Sequence, residues 1–254
     1  MTEEQFNALA EQGFNRIALV AEAFADLETP LSLYLKLTAP ARAGEPQQRK
    51  YSFLLESVVG GERFGRYSFI GLPARTLLRA SGFGAQARTQ VVRDGQVLEE
   101  ARGNPLAFIE AYQRRFKVAL PPDAPRFCGG LAGYFGYDTV RHIEKKLQAS
   151  CPPDTLGCPD IFLLHCDEVA VIDNLTGKLH FIVYADPAQP GAWAQARARL
   201  EDLHERLCQP VTPPRLKPAP TPEVRREFDK AAYLAAVQRA KELIANLTDR
   251  KSVV

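Results

Sequence analysis

The residues that first invite a chemical reading are Glu56 and Ser57. They close the apolar run Phe53-Leu54-Leu55 with a carboxylate and a hydroxyl, just ahead of the glycine pair Gly60-Gly61. A buried carboxylate requires a partner, and Arg66 opens the next apolar run. At a strand end, these three groups would hold an ammonium and a carboxylate together, as an amino-acid ligand requires. A turn cap plus a surface ion pair accounts for the same residues, and the sequence by itself leaves both readings open.

Elsewhere the candidates are weaker. Gly129 to Asp138 alternates small and aromatic residues, the pattern of a core strand packed closely against other backbone. His142, His165, His180 and His204 are scattered, and no Ser/His/Asp or Cys/His constellation follows from their order. The five cysteines, Cys128, Cys151, Cys158, Cys166 and Cys208, include no C-x-x-C pair, so reduced thiols with no metal role are expected. Neither phosphate-binding glycine loop, G-x-G-x-x-G or G-x-x-x-x-G-K-[ST], is present.

Composition narrows the function further. A net charge of +2 lacks the basic field that nucleic-acid binding needs, so no nucleic acid is expected as a partner. No apolar run reaches the roughly 18 residues of a membrane span, and Glu3 and Glu4 stand where a signal peptide would be basic. A cytoplasmic chain with no membrane partner is the expectation.

These residues need elements to position them. Thr2 and Gln5 predict a capping box for a helix over Glu3 to Glu11, stopped by Gly13. Thr29-Pro30 opens a second helix with Leu31, Tyr34 and Leu35 on one face. Tyr51 to Val59 and Arg66 to Ala80 read as single strands, and Asp94-Gly95 predicts a type I′ hairpin between Thr89–Arg93 and Gln96–Glu99. A helix follows Asn104-Pro105 as far as Phe116. Gly130–Phe135, Ile161–Ile172 and Leu179–Tyr184 read as strands, the last two joined in a hairpin by Asn174 to Gly177. Ala192 to Leu207 has an apolar stripe of Trp193, Ala196, Leu200, Leu203 and Leu207. Six prolines from Gln209 to Glu227 then read as a semi-rigid linker, after which Asp229 caps a last amphipathic helix.

The run Leu54-Leu55-Glu56-Ser57, with Gly65-Arg66-Tyr67-Ser68-Phe69-Ile70-Gly71, resembles the N-terminal region of anthranilate synthase component I. Phe127 to Asp138, Cys158-Pro159-Asp160, Val171-Ile172-Asp173 and Tyr233 to Lys241 resemble the same family in the same order, so the similarity runs from about Asn15 to Ala245. The resemblance implies an α+β fold of antiparallel β-sheets flanked by helices. It divides the chain into a regulatory part over 1–208, a linker over 209–228 and the first helix of a chorismate-binding part over 229–245. It also implies conversion of chorismate to anthranilate, ammonia from a glutamine amidotransferase subunit, a magnesium cofactor and feedback inhibition by tryptophan. Leu55, Glu56, Ser57 and Arg66 fall at tryptophan-binding positions, whereas the catalytic and magnesium-binding motifs have no counterpart in this sequence.

Two neighbouring readings share many of these features. One is aminodeoxychorismate synthase component I, of the folate branch; the other is a stand-alone amino-acid sensor. The capped helix after Asp229 argues against the sensor, since its apolar stripe needs a surface to cover. The tail over 246–254 departs from the family pattern and reads as a non-native sequence scar.

Overall fold

In a computed structural model, residues 1–39, 51–57, 65–150, 154–211, 223, 226 and 228–246 are described. The chain divides into two units, Met1–Pro213 and Pro214–Val254. Nearly all of the expected tail, and most of the expected linker, lie outside the described residues.

The first unit opens with α1 (Glu3–Glu11), where the Thr2 hydroxyl accepts from the Gln5 N–H and the Gln5 side chain accepts from the Thr2 N–H. It continues with β1 (Arg16–Phe24), a strand that the sequence patterning does not predict. α2 (Pro30–Thr38) has the expected Thr29 cap, but its buried stripe is Leu33 and Leu37 while Leu31 is exposed. One helical turn separates Leu33 from Leu37, so the face shifts from the predicted Leu31, Tyr34 and Leu35. Next come β2 (Tyr51–Leu55), β3 (Tyr67–Ala74), β4 (Thr76–Ser81), β5 (Arg88–Arg93), β6 (Gln96–Arg102) and α3 (Pro105–Gln113). β7 (Val118–Ala119), β8 (Gly130–Phe135), β9 (Ile161–Cys166), β10 (Glu168–Asp173), β11 (Lys178–Ala185) and α4 (Ala192–Leu207) complete the unit.

Six strands form one sheet in the order β2-β3-β10-β11-β1-β7, and five form a second in the order β6-β5-β4-β9-β8. All these pairings are antiparallel except the short parallel contact of β1 with β7. Two runs predicted as single strands each turn a corner between the sheets. Arg75 alone separates β3 from β4, and Asp167 alone separates β9 from β10. Because β3 pairs with β10 and β4 with β9, a single two-stranded ribbon bends from one sheet into the other, as strands at the corners of packed sheets do. The register advances by one residue across the bend, from Val169 opposite Gly71 to Thr76 opposite His165.

Alternation along the strands then sorts the side chains into layers. Leu179, Phe181 and Val183 of β11 join Ile17 and Leu19 of β1 beneath α1, α2 and α4. Ala18, Val169, Val171 and Ile182 point the other way, onto Leu164 and Cys166 between the sheets. Leu78, Val91, Ile161 and Leu163 cover the far face of the second sheet, where α3 adds Ile109 and Tyr112. At the tip of the β5–β6 hairpin, Asp94 (φ +50°) and Gly95 (φ +85°) take the two left-handed positions of the expected turn. Among the described residues no helix is long and apolar enough to cross a membrane.

The Gly129–Asp138 segment corrects one expectation. β8 is the edge of its sheet, with Tyr134 and Phe135 exposed, rather than a core strand. The close backbone approach is present, however: a Cβ on Gly133 would sit 2.0 Å from the Phe162 carbonyl oxygen and 2.9 Å from the Leu163 Cα. In the second unit, the Asp229 carboxylate accepts from the Ala232 N–H at 2.7 Å and caps α5 (Lys230–Asn246).

Gly133→Ala must push β8 off β9, because both obstructing atoms are backbone. It is expected to lower stability by about 1–3 kcal/mol in urea unfolding. An unchanged midpoint would show that β8 is not seated on β9.

Candidate functional site

The end of β2 and the start of β3 bring the predicted residues to one edge of the six-stranded sheet. Leu55 lies opposite Phe69 and leaves its side chain largely exposed. Glu56 is exposed and Ser57 is half-buried. The Ser57 N–H donates to the Ser68 hydroxyl at 3.3 Å, which fixes the backbone of the strand end against the wholly buried Ser68.

Arg66 does not pair with Glu56. Its Nε donates to both carboxylate oxygens of Asp173, at 3.0 and 3.2 Å, and its Nη2 donates to Oδ2 at 2.7 Å. The guanidinium carbon also lies 4.9 Å from the centroid of the Tyr67 ring. This bidentate geometry orients a planar group far better than a single contact does. The ion pair foreseen for Arg66 is therefore made with a buried carboxylate across the sheet.

Asp173 stands in one of the family-like motifs of the sequence, but its pairing with Arg66 was not foreseen. It ends the apolar run of β10 as Glu56 ends that of β2, so the same signal was available there. It is 4% exposed and also accepts from the Leu175 N–H at 3.1 Å. The Arg66 guanidinium, helped by Leu175 and Thr176, holds its carboxyl down to about 2. Asn174, next in the turn, completes the clamp. Its Nδ2 donates to the Ser68 hydroxyl and to the Gly65 carbonyl, both at 3.2 Å, and its N–H donates to the Arg66 carbonyl at 2.7 Å. The β10–β11 turn thus grips the start of β3, and the Ser68 hydroxyl that Asn174 holds also receives the Ser57 N–H at the end of β2.

This edge can present a fixed guanidinium, a hydroxyl and an exposed carboxylate to a small zwitterion. Among the described residues no group of three or more His, Cys, Asp or Glu side chains is arranged to hold an ion. The buried carboxylate is committed to arginine, so magnesium does not fit here.

The layered architecture of helices outside two sheets that share a bent ribbon defines an α+β protein, with a polar clamp at one sheet edge. The chain belongs to the chorismate binding enzyme family, whose model matches residues 66–247. It is 47% identical over 247 residues to anthranilate synthase component 1 of Neisseria meningitidis serogroup B, a match covering 96% of this chain and 48% of that protein. Against the protein of the same name from Pseudomonas aeruginosa, identity is 49% over 251 residues, with the same coverage of 96% and 48%. The chain spans about half the length of these curated relatives. A crystal structure of anthranilate synthase component I from Streptococcus pneumoniae TIGR4 aligns with 88% of this chain and 45% of its own, at 23% identity and a TM-score of 0.45.

The depressed carboxyl of Asp173 links the clamp to pH. Its contribution to stability is complete above the unfolded-state value of 3.8 and is lost as pH falls towards 2. Because Arg66 is partly open to solvent, Asp173→Asn is expected to cost only about 1–2 kcal/mol near pH 7. Urea unfolding from pH 7 to pH 2 checks this, and the gap between the two proteins should close over the lowest two pH units.

Proposed function

We propose that this chain is the tryptophan-binding regulatory portion of an anthranilate synthase component I. The observation that carries the reading is the Arg66–Asp173 clamp beside Ser57, in a chain nearly half identical to proteins of that name. Arg66, held flat by Asp173, meets the ligand carboxylate through its remaining N–H groups. Glu56 receives the ammonium, Ser57 adds a hydrogen bond, and Leu55 lies against the indole.

In the proposed enzyme, ammonia adds to chorismate and pyruvate is then eliminated to leave anthranilate. A glutamine amidotransferase subunit supplies the ammonia in a cytoplasmic assembly. The magnesium expected for that reaction is held by residues other than those of the edge described above, and this chain by itself is inactive. Residues 1–208 form the regulatory part, and the helix after Asp229 begins the chorismate-binding part. Feedback requires two states that differ in tryptophan affinity. A clamp tied to a β-turn is suited to that task, because a small movement of the turn rotates the arginine.

Calorimetric titration of tryptophan into the 254-residue chain should give weak, saturable binding, and chorismate with ammonium should give no turnover. Ser57→Phe should abolish the binding while leaving the far-UV spectrum unchanged, since it places a ring where the ligand must sit. Binding that survives Ser57→Phe would remove this strand end from the pocket. Turnover by the chain itself would place catalysis within it.

A further inference from the structure

At the bend of the ribbon, a cavity of about 350 Å³ opens beside a wider groove of about 740 Å³. Such a volume admits one small ligand. None of Leu55, Glu56, Ser57 or Arg66 lines either space. In sheet order β10 and β11 lie between β3, next to Arg66, and β1, which carries Arg16 of the cavity wall. Three strand spacings of about 4.8 Å separate them by roughly 14 Å. This cavity is therefore a separate place in the fold, and a ligand bound there is independent of the tryptophan reading.

Its walls are built for an apolar body. Phe116, Val118, Leu120 and Leu131 line it, and Val118 and Leu120 are 39% and 49% exposed. The buried thiols of Cys128 and Cys166 also line it. Burial pushes the Cys166 thiol up to about 12, so that sulfur is no nucleophile at neutral pH. These features suit reversible binding rather than covalent chemistry.

The polar groups are few and placed. The Tyr112 hydroxyl and the His165 Nδ1 share a hydrogen bond of 3.0 Å. Burial holds the imidazole below its ordinary range, with Arg16 and Arg93 opposing the pull of Asp167, so the pair is a neutral donor and acceptor. Arg16 is bound to Asp186 at 3.0 Å. The Asp167 carboxylate lies 3.5 Å from the His165 Nε2 and within the field of Arg75. Arg126, by contrast, lines the cavity with no carboxylate partner among the described residues. An apolar chamber with one unmatched guanidinium calls for a ligand of the opposite construction.

We infer that this cavity is a second ligand site, taking a small aromatic carboxylic acid whose carboxylate meets Arg126 and whose ring lies against Phe116, Val118 and Leu120. Its polar edge substituents would meet the Tyr112–His165 pair.

Benzoate is a suitable probe, with benzamide as its uncharged counterpart. Titrated into the 254-residue chain and followed by ¹H–¹⁵N shifts, benzoate should saturate and move the Gly129, Gly130 and Asp167 signals. Benzamide should bind about tenfold more weakly or worse. Arg126→Gln, at an exposed position that should leave folding intact, should weaken benzoate by about tenfold or more, the loss expected for a charged hydrogen bond. Val118→Trp, which fills the mouth, should abolish binding. Saturating tryptophan should not displace benzoate. Absence of saturable binding, equal affinity for benzamide, indifference to both substitutions, or displacement by tryptophan would each overturn the assignment.

Discussion

The structure depends on one bent ribbon. β3 runs into β4 and β10 follows β9, and the two continuous strands stay paired while crossing from one sheet to the other. The bend costs each strand a single residue, Arg75 and Asp167. Both are tied down: Arg75 chelates Asp94 at the tip of the β5–β6 hairpin, and the Asp167 carbonyl accepts from the Tyr184 N–H at 2.9 Å. Since each sheet borrows strands from this ribbon, neither can shift without carrying the other. The two polar places of the fold lie on it, the Arg66–Asp173 clamp at one end and the His165–Asp167 neighbourhood at the bend.

That placement explains why the clamp is rigid. Asp173 is the last residue of a central strand, so its backbone is held by pairing to β3 and β11 on either side. Its carboxylate is buried, and a buried carboxylate without a cation would be costly. Arg66 answers this need and in return loses its freedom to sample other rotamers. A long, mobile side chain becomes a fixed feature of a sheet edge, which is the condition for recognising a small ion at low entropic cost.

Much of this was legible in the chain. Helix caps at Thr2, Thr29, Asn104 and Asp229, the Asp94-Gly95 turn and the stripe of α4 are local chemistry, and each forms as its residues predict. The α+β class came from the resemblance, and the strand read over Tyr51 to Val59 ends at Leu55, just before Glu56-Ser57. β1 was not legible, because it is covered on both faces over Ile17 to Leu19 and so lacks a simple alternation of polar and apolar residues. The corners were hidden because no glycine pair or turn dipeptide marks them; Arg75 interrupts its apolar run by a single charge, and Asp167 with Glu168 by two. The partner of Arg66 was hidden too, since Arg66 and Asp173 stand 107 positions apart and meet through sheet pairing. Resemblance supplied the family and named Arg66, but not the carboxylate that orients it.

The pairing of β1 with β11 also governs how the molecule is made. Glu22 of β1 bonds Lys178 of β11 at 3.0 Å, across 156 residues of sequence. On the ribosome, β1 emerges early and has no antiparallel neighbour until nearly the whole first unit has been synthesised. Contacts of such long range are slow to form, and an unpaired apolar strand is exposed to wrong partners meanwhile. At about 5–20 residues per second, the wait lasts roughly ten to thirty seconds. The flanking helices α1 and α2 carry their own caps but span only nine residues each, too short to be stable alone, so they too wait for the completed sheet to give them a packing surface.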